Sequence, residues 1–318
     1  MDLTQTPVLF AESPFNPDQS REKLCELLFE QDSIPALFMA RDAMLAALAS
    51  GKTSGLVLDL GGGFCAAAPI VDGYVLNSSL LKTKFAGEMM DEVFLKMFSE
   101  KLVVHPFFEI KRSIDTEGKR HFARQQFPAT SRSYHLYMQK QVMRDLKESV
   151  CRVSDSPFDF DSGSNIPTLP YELPDGTMLA VGPPRFTVPE LLFNPNPKLM
   201  PQFVDFDNYS FGGIPSMVCD AIKSCDIDAR KDMYSNIIVI GGLSAIAGMT
   251  DRIAVDVELA LKGSQKVRVT NPSTGAERKY AVWIGGSILG SLGSFQQMWI
   301  SQAEYKEQGS RVLFSRCP

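Results

Sequence analysis

Leu56-Val57-Leu58-Asp59-Leu60-Gly61-Gly62-Gly63 decides how this chain is read. An apolar run of strand character leads into a carboxylate and then three consecutive glycines. Residues without a Cβ let backbone N–H groups turn inward and approach anionic oxygens closely. Asp59 in that position can orient a water of a hydrated Mg²⁺, an ion that dehydrates reluctantly and favours carboxylate contacts. Taken alone, the stretch also suits a plain tight hairpin turn. No Lys-Ser/Thr pair follows the glycines, so it is not a Walker-type loop.

Working outward, Cys65 to Val71 reads as the hairpin partner of this strand, and Asp72-Gly73 as the turn before Tyr74-Val75-Leu76. Upstream, Pro35 to Ser50 is rich in Ala, Leu and Met and predicts a helix stopped by Gly51. Val8-Leu9-Phe10 predicts a short buried strand, and Asn16-Pro17 a helix start followed by Leu24, Leu27 and Leu28 at helical spacing. Downstream, helices are predicted over Gly87 to Phe98, Tyr134 to Val153, Ile214 to Ser224 and Ala245 to Leu261. Between the first two, Lys111 to Arg132 carries six basic and two acidic residues and reads as a solvated insertion. Ser154 to Pro215 is rich in Pro, Asp, Asn and Phe and predicts short strands and turns. A second buried strand, Ile237 to Ile240, runs into Gly241-Gly242, and Val267 to Val269 predicts another strand. Bare backbone at Gly241-Gly242 suits a flat base or ribose, although a packing turn accounts for it equally well. The alternation of strands and helices is that of an α/β fold.

Composition narrows the function classes. The 318 residues suffice for more than one lobe. A net charge of −5 argues against a dedicated nucleic-acid binder. Apolar stretches fall far short of the roughly 18 residues a membrane span requires, so no membrane is expected. Met1 to Gln5 has no basic flank and predicts no secretory leader. The six cysteines are scattered without a CxxC pair and there are three histidines, which sets aside a zinc site or disulfide framework.

Two strand-to-glycine turns in this order resemble the actin, heat-shock-70 and hexokinase superfamily. The resemblance becomes specific to actin in Trp283-Ile284-Gly285-Gly286-Ser287-Ile288-Leu289, in Phe295-Gln296-Gln297-Met298-Trp299-Ile300-Ser301 and in Arg316-Cys317-Pro318. Cys225-Asp226-Ile227-Asp228, Arg230-Lys231-Asp232 and Arg21-Glu22-Lys23 add to it. Within the family, Ser131-Arg132-Ser133-Tyr134-His135, Tyr137-Met138 and Val153-Ser154-Asp155-Ser156 look like the nuclear actin-related subunits of BAF-type and INO-type remodellers and histone acetyltransferase complexes.

This resemblance implies a two-lobed actin-like α/β fold without its N-terminal quarter, where the first phosphate loop would lie. Residues 1–49 and 280–318 are expected to form the remnant of the first lobe. Residues 50–85 and 212–279 should form the sheet domain under the cleft, and residues 86–211 the outer lobe, with an insertion at about 101–132. An exposed edge strand is expected near Val8 to Phe10. The nucleotide contacts it implies are Asp59, Gly61, Gly62, Gly63, Gly87, Arg144, Lys147, Glu148, Gly241, Gly242 and Lys279, with Asp59 holding Mg²⁺ through water. Read without the family, Arg144, Lys147 and Glu148 are a solvated charged helix face.

The departures from the family pattern matter as much. Asp42 and Ala66 stand where actins carry the Gln and His that arrange the attacking water. Gly62 replaces a second loop Asp, and Ile246 the Tyr that packs on adenine. The resemblance implies ATP with Mg²⁺ as a cofactor, against which the missing first phosphate loop counts; phosphoryl transfer depends on positioning and electrostatics, so hydrolysis is expected to be very slow or absent. The expected function is a noncatalytic scaffold in the nucleus that regulates transcription. Its expected partners are nuclear actin, a helical segment of a remodeller motor subunit and other chromatin-complex subunits. An ATP-hydrolysing filament protein is the alternative, and Lys111 to Arg132 is the candidate for direct DNA or nucleosome contact.

Overall fold

The computed structural model describes residues 2–159, 166–196, 199 and 211–317. Strand β1 (Val8–Glu12), helix α1 (Asp18–Glu26), strand β2 (Ala36–Arg41) and helix α2 (Asp42–Ala49) come first. Then follow β3 (Gly55–Leu60), β4 (Cys65–Val71), β5 (Tyr74–Val75), β6 (Leu81–Thr83) and α3 (Gly87–Ser99). The hairpin β7 (Ile110–Ile114) and β8 (Arg120–Arg124) leads to α4 (Arg132–Val150), the ladder β9 (Leu169–Glu172) and β10 (Met178–Val181), and α5 (Pro184–Glu190). Next are α6 (Ile214–Lys223), α7 (Ile227–Ser235), β11 (Ile237–Ile240), α8 (Met249–Ala260), β12 (Val269–Thr270) and α9 (Gly275–Lys279). The chain closes with α10 (Ala281–Ser291), β13 (Ile300–Ser301), α11 (Gln302–Gln308) and α12 (Val312–Arg316).

β3 and β11 are near-continuous apolar runs because both are covered on both faces. They pair in parallel from Ile237↔Leu56 to Ile240↔Asp59, while β4 runs antiparallel to β3 from Gly55↔Ile70 to Leu60↔Cys65. The full order is β12-β11-β3-β4-β5, with β6 also on β4. A second, three-stranded sheet has β2 at its centre, parallel to β1 and antiparallel to β13. Among the described residues β1 is an edge of that sheet, with Phe10 and Ala11 exposed.

Helix α2 lies between the two sheets and belongs to both cores. Its small side chains Ala43, Ala46 and Ala47 sit against Val57, Ala68, Ile70, Ile238 and Ile240 of the larger sheet. Leu45 joins Leu37, Met39, Ile300 and Leu313 around the smaller one. α10 packs on α2 backbone to backbone: a Cβ built on Gly285 would lie 1.8 Å from the Leu45 carbonyl oxygen. The outer part centres on α3 and α4, where Met90, Val93 and Phe94 share a core with Val142, Met143 and Leu146. There Arg252 is fully buried with Glu190 at 3.0 Å and also bonds the Ser154 and Ser156 carbonyls at 3.0 Å each, tying α8, α5 and the chain after α4 together.

Three local expectations are corrected. The helix predicted over Pro35 to Ser50 is a strand followed by a helix, because pairing of Ala36–Arg41 with β1 and β13 overrides its Ala, Leu and Met propensity. The insertion at Lys111 to Arg132 contains a regular hairpin, whose turn is fixed by Asp115 Oδ1 accepting from the Glu117 and Lys119 amides and by Gly118 at φ +81°. The helix predicted from Ala245 starts only at Met249. Residues Gly242–Ala245 form a 3₁₀ turn, and Gly248 takes φ +84° with its backbone close to the Val153 carbonyl. The turns expected at residues 160–165, 197–198 and 200–210, and the terminal Pro318, lie outside the described residues.

The α2–α10 contact yields the first prediction. Gly285→Ala should destabilise the chain by at least about 2 kcal/mol, since the added methyl meets backbone rather than a movable side chain. Gly290→Ala, in open space on the same helix, should change stability by less than about 0.5 kcal/mol. Urea denaturation of both variants checks this, and equal effects would show that the close approach does not matter.

Candidate functional site

The carboxyl ends of β1, β2, β3 and β11 meet, the place where open α/β sheets collect ligands. Each contributes its following residues: Pro14 after β1, Asp42 after β2, Asp59 and the Gly61–Gly63 turn at β3, and Gly241-Gly242 after β11. The two glycine turns touch. A Cβ on Gly241, which has φ +88°, would lie 2.4 Å from Asp59 Oδ1 and 2.5 Å from the Leu60 carbonyl oxygen, so only glycine allows this contact. Gly63 and Gly242 have nothing within 4 Å of such a Cβ and are exposed, which leaves their backbone open to a ligand.

The start of α3 clasps the first turn. The Gly87 N–H donates to the Gly61 carbonyl at 3.1 Å and the Glu88 N–H to the Gly62 carbonyl at 2.8 Å. These helix-end amides therefore hold the turn and are not free for an anion. A Cβ on Gly87 would lie 3.3 Å from the Gly62 Cα and 3.2 Å from Lys147 Nζ. Lys147 is buried, donates to the Gly87 carbonyl at 2.9 Å and pairs with Asp91 at 2.7 Å. Arg144 faces the same Asp91 at 3.6 Å. The structure thus brings Gly61, Gly62, Gly87, Lys147 and Arg144 into one network, in which Lys147 braces the turn from behind. Glu148 is exposed on the same helix. Lys279 is exposed with its Nζ 5.8 Å from the Tyr280 ring, one residue beyond Arg278, whose carbonyl accepts the Gly241 N–H at 3.0 Å.

Sequence reasoning missed Asp91, Phe64 and Pro14. Asp91 had a signal: an acidic residue one turn after Gly87, amid Met89, Met90, Val93 and Phe94. Phe64 and Pro14 had none, since they reach the site only through the meeting of β1 with the β3–β4 turn.

Behind the turn, Asp42 and Asp59 line one small cavity with Pro14, Ala43, Val57, Phe64, Ala66, Ala68 and Ile240. Ala66 is in register with Asp59 across the β3–β4 ladder. Phe15 packs edge-on against Phe64 at 6.2 Å, with Lys82 Nζ 4.7 Å from the Phe15 ring. Burial, and then the neighbouring Asp59 charge, push the Asp42 carboxyl up to about 7, and burial pushes Asp59 up to about 6. The cavity measures about 10 Å³, room for one water but not for the several waters of a hydrated Mg²⁺. The exposed backbone at Gly63 and Gly242 does fit the phosphate and ribose of a nucleotide.

An actin family model matches residues 1–318, the whole chain. The chain belongs to the actin family. Its mixed sheets, flanked by helices, are accordingly those of an actin-like α/β fold. Among relatives of this actin-family chain, actin-related protein 4 of Arabidopsis thaliana is 40% identical over 324 residues, covering 100% of this chain and 73% of the relative. Actin-related protein 4 of Oryza sativa, from both the indica and japonica subspecies, is 42% identical over 315 residues, 98% of this chain and 71% of the relative.

The raised carboxyls of this actin-family site generate a pH prediction. A carboxyl whose folded value lies above its ordinary 3.8 favours the folded chain when protonated. That contribution is complete below the ordinary value and is lost as pH rises toward about 7. Asp42→Asn should therefore be more stable than the parent by about 1–2 kcal/mol at about pH 8, with the gap closing as pH falls toward about 4. Thermal or urea unfolding across that range measures the gap, and a constant difference would refute the assignment.

Proposed function

We propose that this chain is a noncatalytic actin-related scaffold subunit of nuclear chromatin-remodelling or histone-acetyltransferase complexes. The observation that carries the noncatalytic part is the closed end of the cleft. An attacking water needs a group that positions it and a field that tolerates the negative terminal phosphate. Asp42, Asp59, Ala66 and Phe64 supply two carboxyls, a methyl and a ring. The glycine turns would then serve as a cradle, with Gly61–Gly63 along the phosphates and Gly242 against the ribose or base. The nucleotide supplies a brace between the two sides of the cleft, and the chain's own residues bind it, orient it and exclude water.

A scaffold role is supported by the face around α10. Trp283 on α10 is 79% exposed, with Tyr280 at the start of the helix exposed in the same surface hollow, and α10 packs on the edge strand β1. An apolar face of this kind belongs to a polypeptide interface. We take actin and a helical segment of a remodeller motor subunit as the partners, on the resemblance of Ser131–His135 and Val153–Ser156 to nuclear actin-related subunits.

The basic stretch gives less support to direct nucleic-acid contact. Arg120 pairs with Glu172 at 2.9 Å, Arg112 donates to the Pro174 carbonyl at 3.2 Å and Arg124 pairs with Glu109 at 3.3 Å, which fastens the hairpin to the outer lobe. Half of the six cations are thereby engaged, leaving Lys111, Lys119 and Arg132 for other contacts.

The test combines pelleting and phosphate release with capture from nuclear extract. With ATP and Mg²⁺ the chain is expected to stay in the supernatant and release no phosphate above the protein-free rate. Tagged chain is expected to recover actin together with a remodeller motor subunit. Polymer with turnover would make it an ATP-hydrolysing filament protein, and recovery of neither partner would remove the chromatin reading.

A further inference from the structure

Charge is distributed unevenly along this chain. Residues 101–140 hold eight Lys or Arg against three Asp or Glu, a net +5, together with all three histidines. The whole chain carries −5, so the remainder carries −10. The basic excess falls on the β7–β8 hairpin and the first turns of α4. A local field opposite in sign to the rest of the molecule selects partners by charge.

The two faces of the hairpin differ. Directly opposed residues of an antiparallel pair share a face, and successive residues alternate. The register Ile110↔Arg124, Arg112↔Phe122 and Ile114↔Arg120 therefore puts these six on one face. That face is fastened to the β9–β10 turn. Phe122 lies so close to Gly176 that a Cβ there would be 2.5 Å from its ring, Arg112 donates to the Pro174 carbonyl and Arg120 pairs with Glu172. At the base of the hairpin the buried Glu109 carboxylate gathers His105, Arg124 and His135. Lys111, Ser113, His121 and Ala123 form the opposite face, and all four are exposed. His121 is paired with Asp115 at 2.8 Å. Lys111, Lys119 and Arg132 are exposed and in no ion pair among the described residues.

Apolar surface lies beside these cations. Phe127, Pro128, Thr130 and Tyr134 line an open hollow of about 520 Å³ between the hairpin and α4. Phe108 joins its two sides, with its ring 5.6 Å from Phe127 and 5.5 Å from Tyr134. Phe127 and Tyr134 are each 48% exposed, and Tyr137, one turn along α4, is 55% exposed. Aromatic side chains left this open on a firmly held element mark a binding surface.

We propose that this outer face docks an acidic polypeptide segment that carries aromatic or aliphatic anchors. The anchors enter the hollow between Phe127 and Tyr134, and the carboxylates meet Lys111, Lys119 and Arg132. Two observations favour a polypeptide over a nucleic acid. Three of the four arginines in residues 111–132, whose forks suit phosphate, are already engaged within the protein. Leu136, exposed between Tyr134 and Tyr137 in the sequence, offers no stacking plane to a base but takes an apolar side chain as readily as they do. The surface is separate from the face around α10 and does not depend on nucleotide binding.

Fluorescence polarisation of the full chain tests this with a labelled peptide of Glu and Asp interspersed with Phe and Leu. The parent is expected to bind it at least about five-fold more tightly than a peptide with Lys in place of the acidic residues, and than an acidic peptide without Phe and Leu. Lys111→Glu with Arg132→Glu should weaken binding at least about ten-fold. Phe127→Ala with Tyr134→Ala should weaken it at least about five-fold. Lys231→Glu with Lys266→Glu makes the same change in net charge at exposed positions elsewhere, and should alter it less than about two-fold. No preference for the acidic peptide, or equal losses in the two charge-reversed pairs, would overturn the proposal. Tighter binding of single-stranded or duplex DNA, lost with Lys111→Glu and Arg132→Glu, would make this a nucleic-acid surface instead. Self-association of the parent, abolished by the same pair, would make its occupant a second copy of the chain.

Discussion

Everything in this chain hangs on how closely α10 can lie against α2. Gly285 meets the Leu45 carbonyl at a distance no side chain permits, and the alanines on the opposite side of α2 let the same helix settle onto the large sheet. One helix therefore sets the spacing of two sheets. Because α2 begins immediately after β2, that spacing also decides where Asp42 stands relative to Asp59. The site is a consequence of the packing: the carboxyl ends of β2 and β3 face each other only because the layer between the sheets is one small-residue helix thick.

The second constraint is the contact of Gly241 with Asp59. It brings the turn after β11 into direct contact with the turn after β3. α3 adds its first two amides to the carbonyls of Gly61 and Gly62. A loop held this way has little freedom to reorganise around a reacting phosphate. Rigid, pre-formed backbone is well suited to holding a ligand.

Much of this was legible in the sequence, and the remainder was hidden for definable reasons. β3, β4 and β11 are apolar runs bounded by glycine or Asp-Gly, and α6 has a strongly one-sided apolar pattern, so local signals agree with the final fold. β2 was hidden because Leu37-Phe38-Met39-Ala40 has helical composition and becomes a strand through partners at the two ends of the chain. The β7–β8 hairpin was hidden because its strands are half charged. At the site, the glycine turns announced themselves, and their mutual contact did not, since no local pattern encodes which two turns will touch. Lys147 shows the same limit. Its place on the face of Arg144 is visible in the spacing, but its burial against Asp91 depends on α3.

Among the described residues, several of the cations near the glycine turns and in the outer part are committed to internal pairs. Arg21 and Arg41 hold Glu12, and Lys147 holds Asp91. Arg252 holds Glu190, and Arg112, Arg120 and Arg124 hold the hairpin. Truncating one partner of such a buried pair leaves the other charge uncompensated, at a cost of about 3–5 kcal/mol. Arg252 and Lys147 therefore cannot be recruited to a phosphate without loosening the packing of α8 on α5 or the turn that Lys147 braces. These cations act as internal fasteners and leave Asp42 and Asp59 lining the small cavity among otherwise apolar side chains.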